Sequence, residues 1–366
     1  MRLNQIEVTS TATGFGADDL EHGRRRRTSM WWVLGLGMML AVTMLLAVGL
    51  GPVAVPLDTV LRIFSGQVSG ESQAATWSTS EESIVMLLRT PRVLLRAAVG
   101  AGLALCGVAL QALTRNILAE PYLLGVTSGA SAVSASVILF GAGAGIGSVS
   151  LASGAFLGAL GAGIAVFLLA RVGSQMTSVR LVLAGVSVGY VLNALTSLLI
   201  FASDDPNAGR SVLFWTLGSL SQATATSALT TWAAVVLALV MLLYRARPLD
   251  ALASGDATAQ TLGISPTKLR AAVMIVTALC VGALVAASGG IGFVGLIVPH
   301  IARLCVGATH RTLLPVAALL GAIFLVWADV LARVLVAPQE LPLGIVTALL
   351  GAPLLFVLVR RLNSNS

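Results

Sequence analysis

Charge is scarce in this 366-residue chain: only 10% of its residues are charged and 57% are hydrophobic, whereas a soluble domain carries about 25% charged residues. With a mean hydropathy of +0.95, such a chain would precipitate in water, so it is an integral membrane protein. Lysine is nearly missing. The one at position 268, in SPTKLR, stands in no G-x-x-x-x-G-K-[ST] loop, so no lysine can reach the phosphates of a bound nucleotide and the chain does not hydrolyse ATP by itself. The three cysteines, Cys106, Cys280 and Cys305, lie in or beside apolar runs without C-x-x-C or Cys/His spacing, and read as small apolar packers. His300 and His310 have no Glu, Ser or Asp neighbours of the kind a hydrolase needs, so neither an enzyme, a metal site nor a cofactor is expected. Basic residues outnumber acidic ones, 22 to 15, but no basic–aromatic cluster suggests nucleic acid. In a membrane protein that excess sets orientation.

What is present is a series of long, unalternating apolar runs. A spanning helix needs roughly 20 apolar residues, while barrel strands alternate over about 10, so the fold class is all-α. Ten spans are expected, near 30–51, 91–112, 122–141, 149–170, 180–201, 225–244, 269–287, 291–306, 314–336 and 343–359. An even number puts both termini on one side. Placing them in the cytoplasm leaves 16 of the 22 Lys and Arg residues inside and six outside (Arg62, Arg89, Arg92, Arg96, Arg210 and Arg333), as the positive-inside rule requires. Residues 1–28, ending in Arg24–Arg27, read as a disordered cytoplasmic tail. Its following apolar run, Met30–Leu50, is longer than the 7–15 residues of a signal-peptide core. Residues 29–366 then form one transmembrane domain, with a polar outer loop at about 57–83. Spans two to five and seven to ten could form an inverted five-helix repeat of the transporter kind. Small residues at helical spacing, such as Gly154, Gly158 and Ala162, suit close helix packing in lipid.

Ion-coupled carriers bury acids within their spans. Of the fifteen acidic residues only Asp329 lies well inside a run, and Arg333, one turn later, can neutralise it. That weakens the reading as an ion-coupled secondary transporter. A purely structural membrane protein would leave two polar corners, 114–121 and 249–266, without a role. In the second corner, PLDALASGDATAQTLGISPTKLR, Ser254 or Asp256 can cap a short helix, Gly263 can end it and Pro266 can open the next span. Arg89, Arg92 and Arg96 fall at i, i+3 and i+7 on one face of the second span. They lie on the side that should be poor in positive charge and ask for a partner, although Arg96 can snorkel to headgroups.

The stretches ALQALTRNILAEPYLLGVTSGAS, LDALASGDATAQTLGI, GGIGFVGLIVPHIARLCVG with the following HRTLLP, and ADVLAR…ELPLGIVTALLGAP together resemble the FecCD-type permeases, the membrane subunits of ABC importers for iron-siderophores, haem and cobalamin. The likeness runs nearly continuously over residues 85–360. It departs at Ile117, where the family usually has proline after Asn116. The resemblance implies a ten-helix subunit of a bacterial or archaeal cell membrane, pairing with a second permease subunit as a homodimer around an axial path. Two separate ABC ATPase subunits would bind inside and an extracytoplasmic binding protein outside. The expected cargo is an iron(III)-siderophore, with haem or cobalamin as alternatives. By the same resemblance, Leu249–Ile264 is the coupling segment received by the ATPase, with Leu252, Ser254, Gly255, Asp256, Ala257, Leu262 and Gly263 as its contact and shaping residues. Asn116, Leu118, Thr177 and Ser178 would line a cytoplasmic gate; Tyr190, Asn193, Thr196 and Ser197 would line the path; and Arg89, Arg92 and Arg333 would receive acidic residues of the binding protein.

Overall fold

A long apolar run in hydrocarbon can satisfy its backbone only by closing its N–H groups onto its own carbonyls. The computed structural model is accordingly helical, with no strand, across its described residues, 15–51, 55–69, 77–140, 148–171, 176–204, 207–218, 223–337 and 339–364. In chain order the helices are α1 (Phe15–Gly49), α2 (Leu57–Ser69), α3 (Thr79–Ser83), α4 (Thr90–Thr114), α5 (Val126–Phe140), α6 (Ser148–Ala170), α7 (Ser178–Phe201), α8 (Ala208–Thr216), α9 (Ala225–Tyr244), α10 (Ala246–Ser254), α11 (Asp256–Thr261), α12 (Pro266–Ser288), α13 (Val294–Val306), α14 (His310–Val334) and α15 (Leu343–Ser364). A π-helical turn, Ile84–Arg89, leads into α4, and a 3-10 turn, Pro121–Leu124, precedes α5.

Each of the ten apolar runs coincides with one of these helices. Seven stretches are long and apolar enough to cross a membrane: Met30–Gly49, Thr79–Thr114, Leu151–Ala170, α7, α9, α12 and α14. The other three, α5, α13 and Leu343–Val357 of α15, are apolar but shorter. At 1.5 Å per residue the 13 residues of α13 extend only about 20 Å. It is short because Gly289 (φ 68°) and Phe293 (φ 68°) unwind the chain before it. Residues near this segment pair in an irregular junction, where the Gly344 and Leu343 amides bond the Leu217 and Gly218 carbonyls at 2.9 and 3.2 Å. The buried Glu120 carboxylate accepts the Phe293 N–H at 3.0 Å.

Two expectations about polar stretches need correction. The outer loop expected at 57–83 contains α2 and α3, and α3 runs directly into the π-helical turn before α4. α2 is amphipathic, burying Val60 and Ile63 while exposing Leu57 and Leu61; residues 70–76 lie outside the described residues. The tail expected over 1–28 is helical from Phe15 onward as part of α1, and residues 1–14 lie outside the described residues.

α4 is the axis of the bundle, buried at almost every position from Val93 to Thr114 and packed by α14, α9, α13 and α12. Two of its approaches to neighbouring helices are glycine on glycine. A methyl group at Gly100 would collide with the Gly321 carbonyl of α14, and one at Gly107 with the Gly295 carbonyl of α13. Gly129 of α5 meets Gly158 of α6 in the same way, so the small residue at 158 does allow the close approach its spacing suggested.

Candidate functional site

The 25 residues of α4 span about 37 Å, and a charged cluster stands at each end. At its first turns, Asp329 of α14, 1% exposed, is surrounded by arginines. Arg96 is in direct contact with it, Arg333 Nε lies at 2.9 Å and Arg92 Nη2 at 3.5 Å. Arg92 also forms a two-pronged pair with Glu340, at 2.7 and 2.6 Å, which holds that carboxyl below its usual range. Arg89 and Arg333 turn the other way and donate to carbonyls at the end of α1: Arg89 to Val48 and Gly49 at 2.8 and 3.0 Å, Arg333 to Leu50 and Ala47 at 2.8 and 3.3 Å. Orphan carbonyls at a helix C-terminus are good acceptors for cations. The fold itself thus supplies these arginines with partners, from α1, α14 and the segment before α15. Arg89 and Arg333 are buried, and Arg92 keeps a side chain only 17% exposed. Arg96 does not snorkel to headgroups; it is fully buried.

At the other end of α4, the short helix expected between Ser254 or Asp256 and Gly263 is α11; a further helix, α10, precedes it, and the two are broken at Gly255, whose φ of 136° suits glycine alone. Gly263 (φ 75°) closes α11 and Pro266 opens α12. Neither proposed cap acts as one: Ser254 donates back to the Asp250 carbonyl at 3.2 Å, and the Asp256 carboxylate leaves the helix for two arginines. Leu252 is wholly buried and cannot be a docking contact, whereas Ala257, Leu262 and Gly263 are exposed. Asp250 ties α10 to α14 by accepting the His310 N–H at 2.9 Å and meeting its Nδ1 at 2.6 Å.

Asp256 meets Arg270 of α12. The Arg270 side chain is fully buried and directs all five guanidinium donors at acceptors: Nε at the Leu113 carbonyl (3.3 Å), Nη1 at the Met176 carbonyl and Asp256 Oδ2 (both 2.9 Å), and Nη2 at Ser178 Oγ (3.0 Å) and Asp256 Oδ1 (2.8 Å). Arg115, held at φ 51° as the residue that ends α4, adds a second tie to Asp256 at 3.2 Å. These ties keep the Asp256 carboxyl below its usual range, with Arg270 as the largest cause.

Of the four residues expected at a gate, Ser178 donates to the Leu113 carbonyl at 3.1 Å and so joins the start of α7 to the end of α4. Asn116 braces that corner by accepting the Leu118 N–H at 2.9 Å. Thr177 caps α7, accepting the Arg180 N–H at 3.4 Å. Asn116, Leu118 and Thr177 are exposed, but Ser178 is buried in the joint and cannot line an opening. On α7, Tyr190, Asn193 and Ser197 share one exposed face at i, i+3 and i+7. Thr196 is buried with its hydroxyl on the Leu192 carbonyl at 2.9 Å and does not belong to that face.

The sequence profile of the FecCD transport family matches residues 39–361. The chain belongs to that family. Among the relatives of this FecCD permease, the hemin transport system permease HmuU of Yersinia pestis is 40% identical over 291 residues, 78% of this chain and 86% of the relative. The vitamin B12 import system permease BtuC of Vibrio cholerae is 40% identical over 294 residues, 80% and 88% of the two chains. A solved metal-chelate type ABC transporter in an inward-facing conformation superposes with a TM-score of 0.78 at 32% identity, covering 90% of this chain and 98% of its own. The FecCD permease is thus a multi-pass membrane protein of the ABC importer class. Sequence reasoning missed Arg270 and Arg115 in it, having counted them only as inward positive charges. The available signal was a lone arginine in the first turns of an apolar helix, a place the helix dipole disfavours for a cation.

Proposed function

We propose that this FecCD permease carries an iron(III)-siderophore complex across a bacterial or archaeal cell membrane, receiving it from an extracytoplasmic binding protein and driven by two separate ABC ATPase subunits. The observation that carries this reading is the family match over 39–361, joined by likeness to a transporter of metal-chelate type. The 40% identities to a hemin permease and to a vitamin B12 permease make haem and cobalamin the alternative cargoes. Ten spans, cytoplasmic termini and an inverted repeat form part of the proposal, supported by the 16-to-6 split of basic residues. The exposed polar face of α7 supports a homodimer around an axial path, because Tyr190, Asn193 and Ser197 would be poorly placed against lipid tails. Weak contacts of that kind suit a path that must release its cargo.

Exposed Ala257, Leu262 and Gly263 would meet the ATPase, while Gly255 and buried Leu252 shape the segment from within. Of the docking arginines, Arg92 is the one placed to exchange Glu340 for an incoming carboxylate; Arg89 and Arg333 hold the corner beneath it. Proteoliposomes containing the permease, its ATPase subunits and its binding protein should take up 55Fe-labelled ferrioxamine only with ATP. Uptake without the ATPase would establish a secondary carrier, and transport of haemin or cyanocobalamin in place of ferrioxamine would reassign the cargo. Ala257→Asp should leave insertion and ATP hydrolysis intact while uncoupling hydrolysis from uptake; unchanged uptake would remove α11 from the ATPase contact.

A further inference from the structure

We propose that Arg270 is the positioning residue through which displacement of α11 reaches the inner corner of the path. This rests on the reading of α11 as the ATPase contact and of the 116–118 corner as the gate. α11 is suspended between Gly255 (φ 136°) and Gly263 (φ 75°), two residues that can absorb backbone rotation, so it can shift as a unit. Whatever moves it must pull on Asp256, and both oxygens of Asp256 are bonded to Arg270.

The remaining donors of Arg270 go to the end of α4 (the Leu113 carbonyl), the chain entering α7 (the Met176 carbonyl) and the α7 start (Ser178 Oγ). Two of these acceptors are main-chain groups, with no rotamer to yield. Guanidinium donors lie in one rigid plane, so if Asp256 leaves, the fork follows it and abandons buried carbonyls, or the carbonyls follow the fork. A buried charged donor without an acceptor is the costliest of these states. The displacement is therefore carried to Leu113 and Met176, three residues before Asn116 and one before Thr177. A lysine could match the charge but not five acceptors in a plane.

The test uses the permease assembled with its ATPase subunits, with Cys305→Ser and Ile117→Cys introduced; Cys106 and Cys280 are buried, and Ile117 is 39% exposed. The rate of maleimide labelling at position 117 is compared with and without ATP and vanadate. In the parent the rate should differ between the two states. In Arg270→Gln, Arg270→Lys and Asp256→Asn the difference should vanish while ATP hydrolysis continues, and the Asp256→Asn/Arg270→Gln double variant should be no worse than either single one. If the variants keep the difference, or if lysine restores it, Arg270 is no relay. Loss of hydrolysis together with the difference in all variants also overturns the inference, since Arg270 would then serve assembly alone. A parent whose labelling rate is the same in both states instead overturns the gate reading on which the inference rests.

Discussion

Asp329→Asn isolates the contribution of the buried cluster at the first turns of α4. The substitution keeps shape and one oxygen acceptor but removes the charge that faces Arg96 in contact, Arg333 at 2.9 Å and Arg92 at 3.5 Å. Those three arginines and the acids Asp329 and Glu340 sum to +1; without the Asp329 charge they sum to +2, and only Glu340, 37% exposed at its side chain, remains to balance them. Removing one partner of a buried pair costs about 3–5 kcal/mol, because the other charge is left uncompensated. An unfolding entropy of about 2.1 cal/mol/K per residue gives about 0.77 kcal/mol/K for the 366 residues, so the melting temperature should fall by about 4–6 °C. The assay is thermal unfolding of the purified protein in detergent at a fixed scan rate. Asp58→Asn serves as the control: its pair with Arg62, at 3.7 Å, is more than half exposed on both sides and its loss should not register. Replacing both members, as Arg96→Met with Asp329→Leu, should recover much of the loss, since apolar residues of similar volume can substitute for a buried pair. An Asp329→Asn protein melting within a degree of the parent would refute the reasoning.

Arg92→Gln should weaken capture of the loaded binding protein, most at low ionic strength where charge steering is strongest, with ATPase assembly unchanged; equal affinity at every salt concentration, read by titration on immobilised permease, would return Arg92 to the fold alone. Cysteines at Leu118 and Thr177 should cross-link across the dimer in one nucleotide state and not the other, as seen on a non-reducing gel; no cross-link in any state would remove them from the gate. Asp256 is held below its usual range by Arg270 and Arg115. A carboxyl with a depressed folded value stabilises above its unfolded value, about pH 4, and loses that contribution as pH falls through the folded one. The melting difference between parent and Asp256→Asn should thus be level from pH 7 to about 5 and shrink below about 4; a difference that grows on acidification would contradict the pairing.

The ten apolar runs could be read from composition and length because hydrocarbon leaves the backbone no alternative to closing its own bonds. The Asp329–Arg333 pair was visible for a similar reason, lying one helical turn apart. What could not be read required partners from distant sequence. Arg92 meets Glu340 248 residues away, and Arg270 meets the Leu113 and Met176 carbonyls, which carry no side-chain signature. Burial direction was equally hidden: Leu252 and Leu262 are the same residue type on one segment, yet one is enclosed and the other 65% exposed. Gly263 did mark the end of α11, but the break at Gly255 depended on a backbone angle that no periodicity announces. Thr196 and Ser197 were expected on the same face, yet Ser197 lies on the open one and Thr196 does not.

The glycine contacts Gly100–Gly321 and Gly107–Gly295 also limit how such a molecule can move. Helices that touch backbone to backbone cannot ratchet past each other: a one-turn slip of α4 would bring Arg96 or Ala104 opposite the Gly321 carbonyl, where even a methyl group collides. α4, α13 and α14 therefore behave as a single chassis. Any rearrangement of the bundle must then swing other helices around it, and α7, which packs on α5 and α6 far more than on α4, lies outside it.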